Sequence, residues 1–313
     1  MRKRSLAFAM AVTMTVGVFT TSSVAFAEDG ETLEVTFVNP TVGLEYWTKA
    51  DNGAKAGAEE FGVDLNIVGP TEVSPEQQAA YIDTAVADNV DGIITCPWDV
   101  AFTPSLQAAA EAGIPVIAID TDDPECGRIA FYGTSNYDAG YQAGQLMAEA
   151  TDGKGKVCIM TAVLTSPTQK DRIDGFKAAL EEYPDMEVLT EEQTNSDLQE
   201  SVDKATACIG AYPECNAFFG AASLDGPGAA KAVEEMGLQG EYTIIGFDDV
   251  AETIKYVKSG DILASMAQDS YGMAYNAVKA IVDYHNGVEP EEEINSVEVT
   301  VITADNVNEL YPD

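Results

Sequence analysis

Asp120 and Asp248 each end an apolar, β-branched run, Pro115–Ile119 and Thr243–Phe247, and they lie in different halves of a 313-residue chain. Such runs read as buried parallel strands, and in open α/β sheets ligands bind beyond the carboxyl ends of the strands. An ionised carboxylate accepts hydrogen bonds from neighbouring hydroxyls, and charge-assisted bonds are about twice as strong as neutral ones. The two aspartates therefore predict a cleft with an acidic jaw on either side, suited to a small polyhydroxylated molecule. For Asp248, which precedes Asp249 and Val250, a helix N-cap is the competing role.

Two carboxylates across a cleft also describe a glycoside hydrolase, whose acids stand roughly 5–10 Å apart. Yet there is no GxSxG elbow, Walker loop or dinucleotide glycine motif after the first strand, and His285 is the only histidine. The chain is expected not to be an enzyme and to need no cofactor. Asp120, Asp122, Asp123 and Glu125 cluster as if for calcium, but the EF-hand glycine and distal glutamate are missing and Pro124 marks a turn. No Cys/His pattern suggests another metal, so none is expected.

The elements that must position these residues alternate along the chain. Strands are expected at 34–38, 64–68, 92–95, 116–120, 156–161, 187–190, 217–220, 243–247 and 262–267. Helices are expected at 47–61, 75–88, 138–150, 168–182, 225–236 and 271–285. This alternation predicts βαβ units and parallel sheets, an α/β fold, with a second sheet beginning near Gly133–Asn136. Ser166, Pro167 and Gln169 have the pattern of a capping box. Gly53 and Gly57 are expected to let the first helix lie close to its sheet. His285 and Gly287 suit a helix end.

Arg2–Arg4, an apolar stretch to Phe19 and Ala25–Ala27 form the pattern of a cleavable export signal over residues 1–27. No cysteine follows the apolar stretch, which argues against a lipid anchor. The expected product is exported, to a bacterial periplasm. Sixteen basic and 53 acidic residues give a formal charge of −37, which opposes nucleic-acid binding. Of five cysteines, Cys208 and Cys215 are spaced to close a disulfide across a helix-to-strand turn, with a role as buried thiols the alternative.

Several motifs, taken in order, carry a resemblance. They are Gly69–Glu76, Asp91–Thr95, Gly113–Asp120, Tyr132–Asn136, Ile245–Asp248 and Ala267–Gln268. Together they resemble the sugar-binding proteins of bacterial ABC importers, the ribose-binding, type I branch. The resemblance implies two Rossmann-like lobes joined by three crossovers, near Gly133–Asn136, Gln268–Asp269 and Glu293–Ser296, closing over one monosaccharide. The lobes then take 28–133 with 269–294, and 134–268 with 295–313. It implies ligand contacts from Asp120, Asp248, Arg172 and Gln268, and aromatic contacts from Trp47 and Tyr46. Trp98, after its strand, and Asn195, in a loop before a helix, are further candidates. The implied partners are a sugar and a membrane ABC permease, with a chemoreceptor compatible, and the implied state is a monomer. Cys96, Thr121 and the stretch at Ala222–Ser223 depart from the ribose pattern. A different pentose, a hexose, a sugar alcohol or a furanose-like signal molecule therefore remain open.

Overall fold

The computed structural model describes residues 32–290, 294–297 and 299–312. The expected export signal lies outside them. In chain order the first half gives β1 (Glu34–Val38), α1 (Glu45–Phe61), β2 (Asp64–Val68), α2 (Pro75–Asp88), β3 (Gly92–Thr95), α3 (Thr103–Glu111), β4 (Val116–Asp120) and β5 (Ala130–Thr134). The second half gives α4 (Asn136–Ala150), β6 (Lys156–Thr161), α5 (Pro167–Leu180), β7 (Glu187–Gln193), α6 (Leu198–Ala211), β8 (Ala217–Gly220), α7 (Asp225–Glu235), β9 (Thr243–Phe247), α8 (Ala251–Ser259) and β10 (Ala264–Ala267). The chain then runs through α9 (Ser270–His285), β11 (Ile294–Val297), β12 (Thr300–Thr303) and α10 (Val307–Leu310).

Among the described residues the strands form two six-stranded sheets, ordered β11-β5-β4-β3-β1-β2 and β12-β10-β9-β8-β6-β7. All pairings are parallel except β10 with β12. Each order reverses once, between β1 and β3 and between β6 and β8, and such a reversal opens a crevice at the strand carboxyl ends. Helices cover both faces. One face of the first sheet packs on α1 and α9, the other on α2 and α3. In the second sheet α4 and α5 lie on one face and α6, α7 and α8 on the other. Buried on both sides, the central strands are apolar up to their carboxyl ends, and every residue of β3, β4 and β8 is buried, Thr95 and Asp120 included.

Among the described residues the chain passes between sheets three times, from β5 into α4, from β10 into α9, and between Val297 and Thr300. The last passage comes later than the expected Glu293–Ser296, because β11 pairs with β5 of the first sheet as far as Val297. Strand β5 was not among the expected strands, since Gly133 and Thr134 break its apolar run. Gly53 and Gly57 serve a different contact from the one expected. A methyl group on Gly53 would stand 2.1 Å from the Tyr271 carbonyl oxygen, and one on Gly57 3.2 Å from that of Tyr275. The glycines thus let α1 approach the backbone of α9 rather than its sheet. Gly140 and Gly175 do the same for α4 and α5, with Gly140 against the Arg172 carbonyl. At the end of α9, His285 Nε2 lies 2.7 Å from the Asp91 carbonyl oxygen, and Gly287 has φ 75°. No helix of the described residues is long and apolar enough to cross a membrane.

Candidate functional site

Asp120 closes β4 and Asp248 follows β9, with φ of 65° and 63°. Left-handed backbone is uncommon outside glycine and costs on the order of 1–3 kcal/mol, although aspartate tolerates it better than most residues. The same bend at equivalent places in both sheets puts both carboxylates on one cavity, of about 630 Å³ including its open part. Asp248 is not the N-cap of α8: that position is Val250, which makes no side-chain cap, and Asp248 lacks an extended backbone.

The first carboxylate is held by its own lobe. Tyr46 Oη donates to Asp120 Oδ1 at 2.5 Å, while Thr121 Oγ1 at 3.1 Å and Cys96 Sγ at 3.5 Å donate to Oδ2. Burial, and then the negative charge of Asp120, push the Tyr46 hydroxyl well above its ordinary range, so it stays a donor. The second carboxylate is held alike: Gln268 Nε2 donates to Asp248 Oδ1 at 2.8 Å and Ser223 Oγ to Oδ2. Burial raises the Asp248 carboxyl, and the Arg172 guanidinium and these two bonds oppose the shift.

Arg172, on α5, is 3% exposed. Its Nε donates to Asn136 Oδ1 at 2.8 Å and its Nη1 to the Ala221 carbonyl at 2.9 Å, with the guanidinium 4.1 Å over the Phe247 ring. Among the described residues its Nη2 is buried without a hydrogen-bond partner, as is Gln268 Oε1. Buried polar atoms are ordinarily paired, and an unmade bond costs about 1–3 kcal/mol. An orphan donor and an orphan acceptor on one cavity are the pair that a hydroxyl, able to donate and accept, satisfies.

Trp47, Tyr46 and Trp98 also line the cavity. Tyr46 and Trp47 meet edge-on at 5.0 Å, and Trp98 packs edge-on against Phe102 at 5.3 Å. Trp98 Nε1 donates to Gln78 Oε1 at 2.8 Å. The buried Gln78 in turn donates to Thr95 Oγ1 and the Cys96 carbonyl. Asn195 does not reach the cavity: it is exposed, bonds Glu200 and Gln193, and leaves the lining to Ser196. Two successive left-handed residues, Asn195 at φ 54° and Ser196 at 56°, turn the loop so.

Sequence reasoning missed Gln78, Asn136, Thr168 and Ser223. Thr168 is the instructive one. The segment Ser166–Gln169 shows the pattern of a helix start, but Ser166 makes no side-chain cap and Gln169 Oε1 accepts instead from Thr161 and the Val163 amide. Thr168 Oγ1 donates across the cleft to Thr121 Oγ1 at 2.5 Å. Two further contacts cross outside the cavity: Lys49 pairs with Asp249, and the Glu45 carboxylate accepts from the Ala251 amide at 3.0 Å, at the start of α8. The acidic cluster of the first lobe is otherwise engaged. Asp122 pairs with Arg128, and Asp123 caps the turn at 124–126 and accepts from Thr103.

Behind the second lobe's wall, fully buried Asp225 accepts from Thr194 Oγ1, Ser201 Oγ and the Ala222 amide. Burial pushes its carboxyl up to about 7. A folded-state value above the unfolded one means that the native state binds more protons in between, so this contribution to stability falls as pH rises from about 4 to 7. Asp225→Asn is expected to gain on the order of 1–3 kcal/mol over the parent between about pH 4 and pH 8. Parallel urea curves for both proteins at both pH values check this, and an unchanged difference contradicts it.

A family model of the periplasmic binding protein domain matches residues 35–289. The chain belongs to the periplasmic binding protein family, whose members work outside the cytoplasm. It is 24% identical to a D-ribose/D-allose-binding protein of Pseudomonas aeruginosa, over 90% of this chain and 91% of that one. The crystal structure of GanP, a glucose-galactose binding protein from Geobacillus stearothermophilus, matches with TM-score 0.85 and 35% identity, over 88% of this chain and 99% of that chain. A solute-binding protein from Burkholderia graminis in complex with D-arabinose matches with TM-score 0.85 and 29% identity, over 90% and 98%. These relatives are binding proteins, not enzymes.

Proposed function

We propose that this chain is a receptor that captures one neutral monosaccharide or related polyol by closing two lobes over it, and delivers it to an ABC permease. The observation that carries this reading is one cavity holding a carboxylate from each sheet together with the unpartnered Arg172 Nη2 and Gln268 Oε1. Asp120, Asp248, Arg172 and Gln268 are assigned to ligand hydroxyls and the ring oxygen, and Trp47 and Tyr46 to the apolar face of the ring. Trp98 forms the rim. The moving bodies are assigned as residues 32–134 with 270–290 and 294–297, and 136–267 with 300–312. Sugar binding by the relatives supports the ligand class, and the export pattern of residues 1–27 supports a periplasmic site of action.

Titration calorimetry and thermal shift across pentoses, hexoses, polyols and furanose-like signal molecules test the reading. A bound ligand raises the melting temperature according to RT ln(1 + [L]/Kd). Turnover of a glycoside, or no stabilisation by any of these compounds, overturns it. Two carboxylates against one guanidinium also make a further carboxylate unwelcome, since like charges cost several kcal/mol. The uronic acid matching the best sugar is therefore expected to bind at least about tenfold more weakly, roughly 1.4 kcal/mol. Equal affinities contradict the charge assignment.

Closure also sets the affinity. The Glu45 and Lys49 contacts touch no cavity residue except through lobe position, and a contact made only in the closed state raises the competent fraction. Lys49→Ala is expected to weaken apparent binding by about threefold, and less at high salt where exposed charges are screened. An affinity equal to the parent's at low salt contradicts this role.

A further inference from the structure

The second lobe contains a chemical cluster that the binding cavity does not use. Cys158 on β6, Cys208 on α6 and Cys215 in the turn before β8 are all buried, and they belong to one packed core. Cys215 Sγ lies 3.5 Å from Cys158 Sγ, and Cys158 also contacts the Cys208 thiol. The pairing expected from spacing, Cys208 with Cys215, is thus not the contact the fold favours. Cys158 stands between the two, and all five cysteines of the chain are free thiols in this structure.

Three thiols, each brought by a different segment of the second lobe, meet at one point of this core. A disulfide needs about 2.05 Å between sulfurs, so the pair must close by roughly 1.5 Å. Cys158 is held in the regular ladder with β8, opposite Phe218, and pairs with β7 just after a register shift. Cys208 is fixed in the last turns of α6. Cys215 sits outside regular structure, in a turn closed by its own amide bonding the Tyr212 carbonyl at 2.9 Å, and is the member free to shift. The family's place outside the cytoplasm also puts the chain where disulfides persist.

We propose that Cys158 and Cys215 are a disulfide site, joined as the second lobe folds in an oxidising compartment, with Cys208 left as a thiol beside the bridge. With glutathione disulfide as oxidant, the Cys215 thiolate attacks one glutathione sulfur and expels the first glutathione thiolate. The Cys158 thiolate then attacks the Cys215 sulfur of the mixed disulfide and expels the second. Two protein thiols give up two protons and two electrons, and one glutathione disulfide becomes two glutathione thiols. Burial of the pair confines the reaction to folding or to opening of the turn before β8.

The test uses the full chain from residue 28 onward, unfolded in urea and refolded with mixed reduced and oxidised glutathione. Free thiols are alkylated in denaturant and the unreduced digest is mapped by mass. The expected result is a fall from five alkylated cysteines to three, and a crosslinked peptide pair containing Cys158 and Cys215. Reduction is expected to return all five and to lower the urea midpoint of the refolded protein. Five alkylated cysteines after oxidative refolding overturn the proposal, as does a bridge through Cys208. Because the peptide map is read on the unsubstituted chain, it does not depend on whether Cys158→Ser folds.

Discussion

Asp248→Ala and Asp120→Ala are each expected to weaken binding of the best sugar by about 10- to 100-fold. Hydrogen bonds to a charged acceptor contribute about 1.5–3 kcal/mol, and each 1.4 kcal/mol is a factor of ten. The two losses differ in origin. Asp120 is braced by Tyr46, Thr121 and Cys96, all from the first lobe. Its removal takes away the acceptor assigned to the proposed ligand and leaves three donors that water can reach once the cleft opens. Asp248 is also the anion facing Arg172, so its removal changes the balance of charge as well as the bonding. Asp248→Asn separates these effects: it keeps the shape and an acceptor oxygen, and is expected to lose less than the alanine variant. Calorimetric titration of all three variants is the check. If both alanine variants bind within about threefold of the parent, roughly 0.7 kcal/mol, the carboxylates do not hold the ligand.

Arg172→Leu is expected to cost about 3–5 kcal/mol of stability near neutral pH, besides most of the sugar affinity. The guanidinium is 3% exposed, fastened by Asn136 and the Ala221 carbonyl, and is the charge that opposes the burial of Asp248. Without it Asp248 is a buried anion with no facing cation. Its folded-state value, already raised by burial, rises further. The sign follows: the variant's native state then binds more protons than its unfolded state, so its stability falls as pH rises from about 4 through the new value. The loss is expected to be small at about pH 4 and full at about pH 8. Urea unfolding at both pH values measures it. Equal losses at the two values point to lost packing over Phe247 rather than to charge. Arg172→Lys is expected to recover part of the stability and little of the affinity, since one ammonium cannot make the bonds of Nε and Nη1 while presenting a third donor.

Much of the fold was legible because buried parallel strands write themselves as apolar runs. The runs at 34–38, 92–95, 116–120 and 243–247 are strands to the residue. Strands that meet water, or that end at a lobe crossing, write a weaker pattern. β7 is partly exposed along nearly its whole length and runs three residues past its expected end, and β5, β11 and β12 were missed. The same holds for the site. Residues that end an apolar run, or stand beside one, announce themselves, as Asp120, Asp248, Gln268 and the aromatics of α1 do. Gln78 and Asn136 do not, because a polar residue on a helix looks alike in sequence whether it faces solvent or, as here, braces Trp98 or Arg172.

By itself the sequence determined the α/β class, the doubling into two sheets and the two acidic strand ends, all of which follow from local hydrophobic patterning and β-branched runs. Tertiary structure alone decided which groups meet: the Thr168–Thr121 bond across the cleft, the Lys49 and Glu45 contacts with the α8 start, the burial of Arg172 Nη2, and the meeting of Cys158 with Cys215. The partners in the pairwise contacts are 47 to 206 positions apart in the chain. No local pattern encodes such distances, and only the packing of helices on two sheets brings the groups within bonding range.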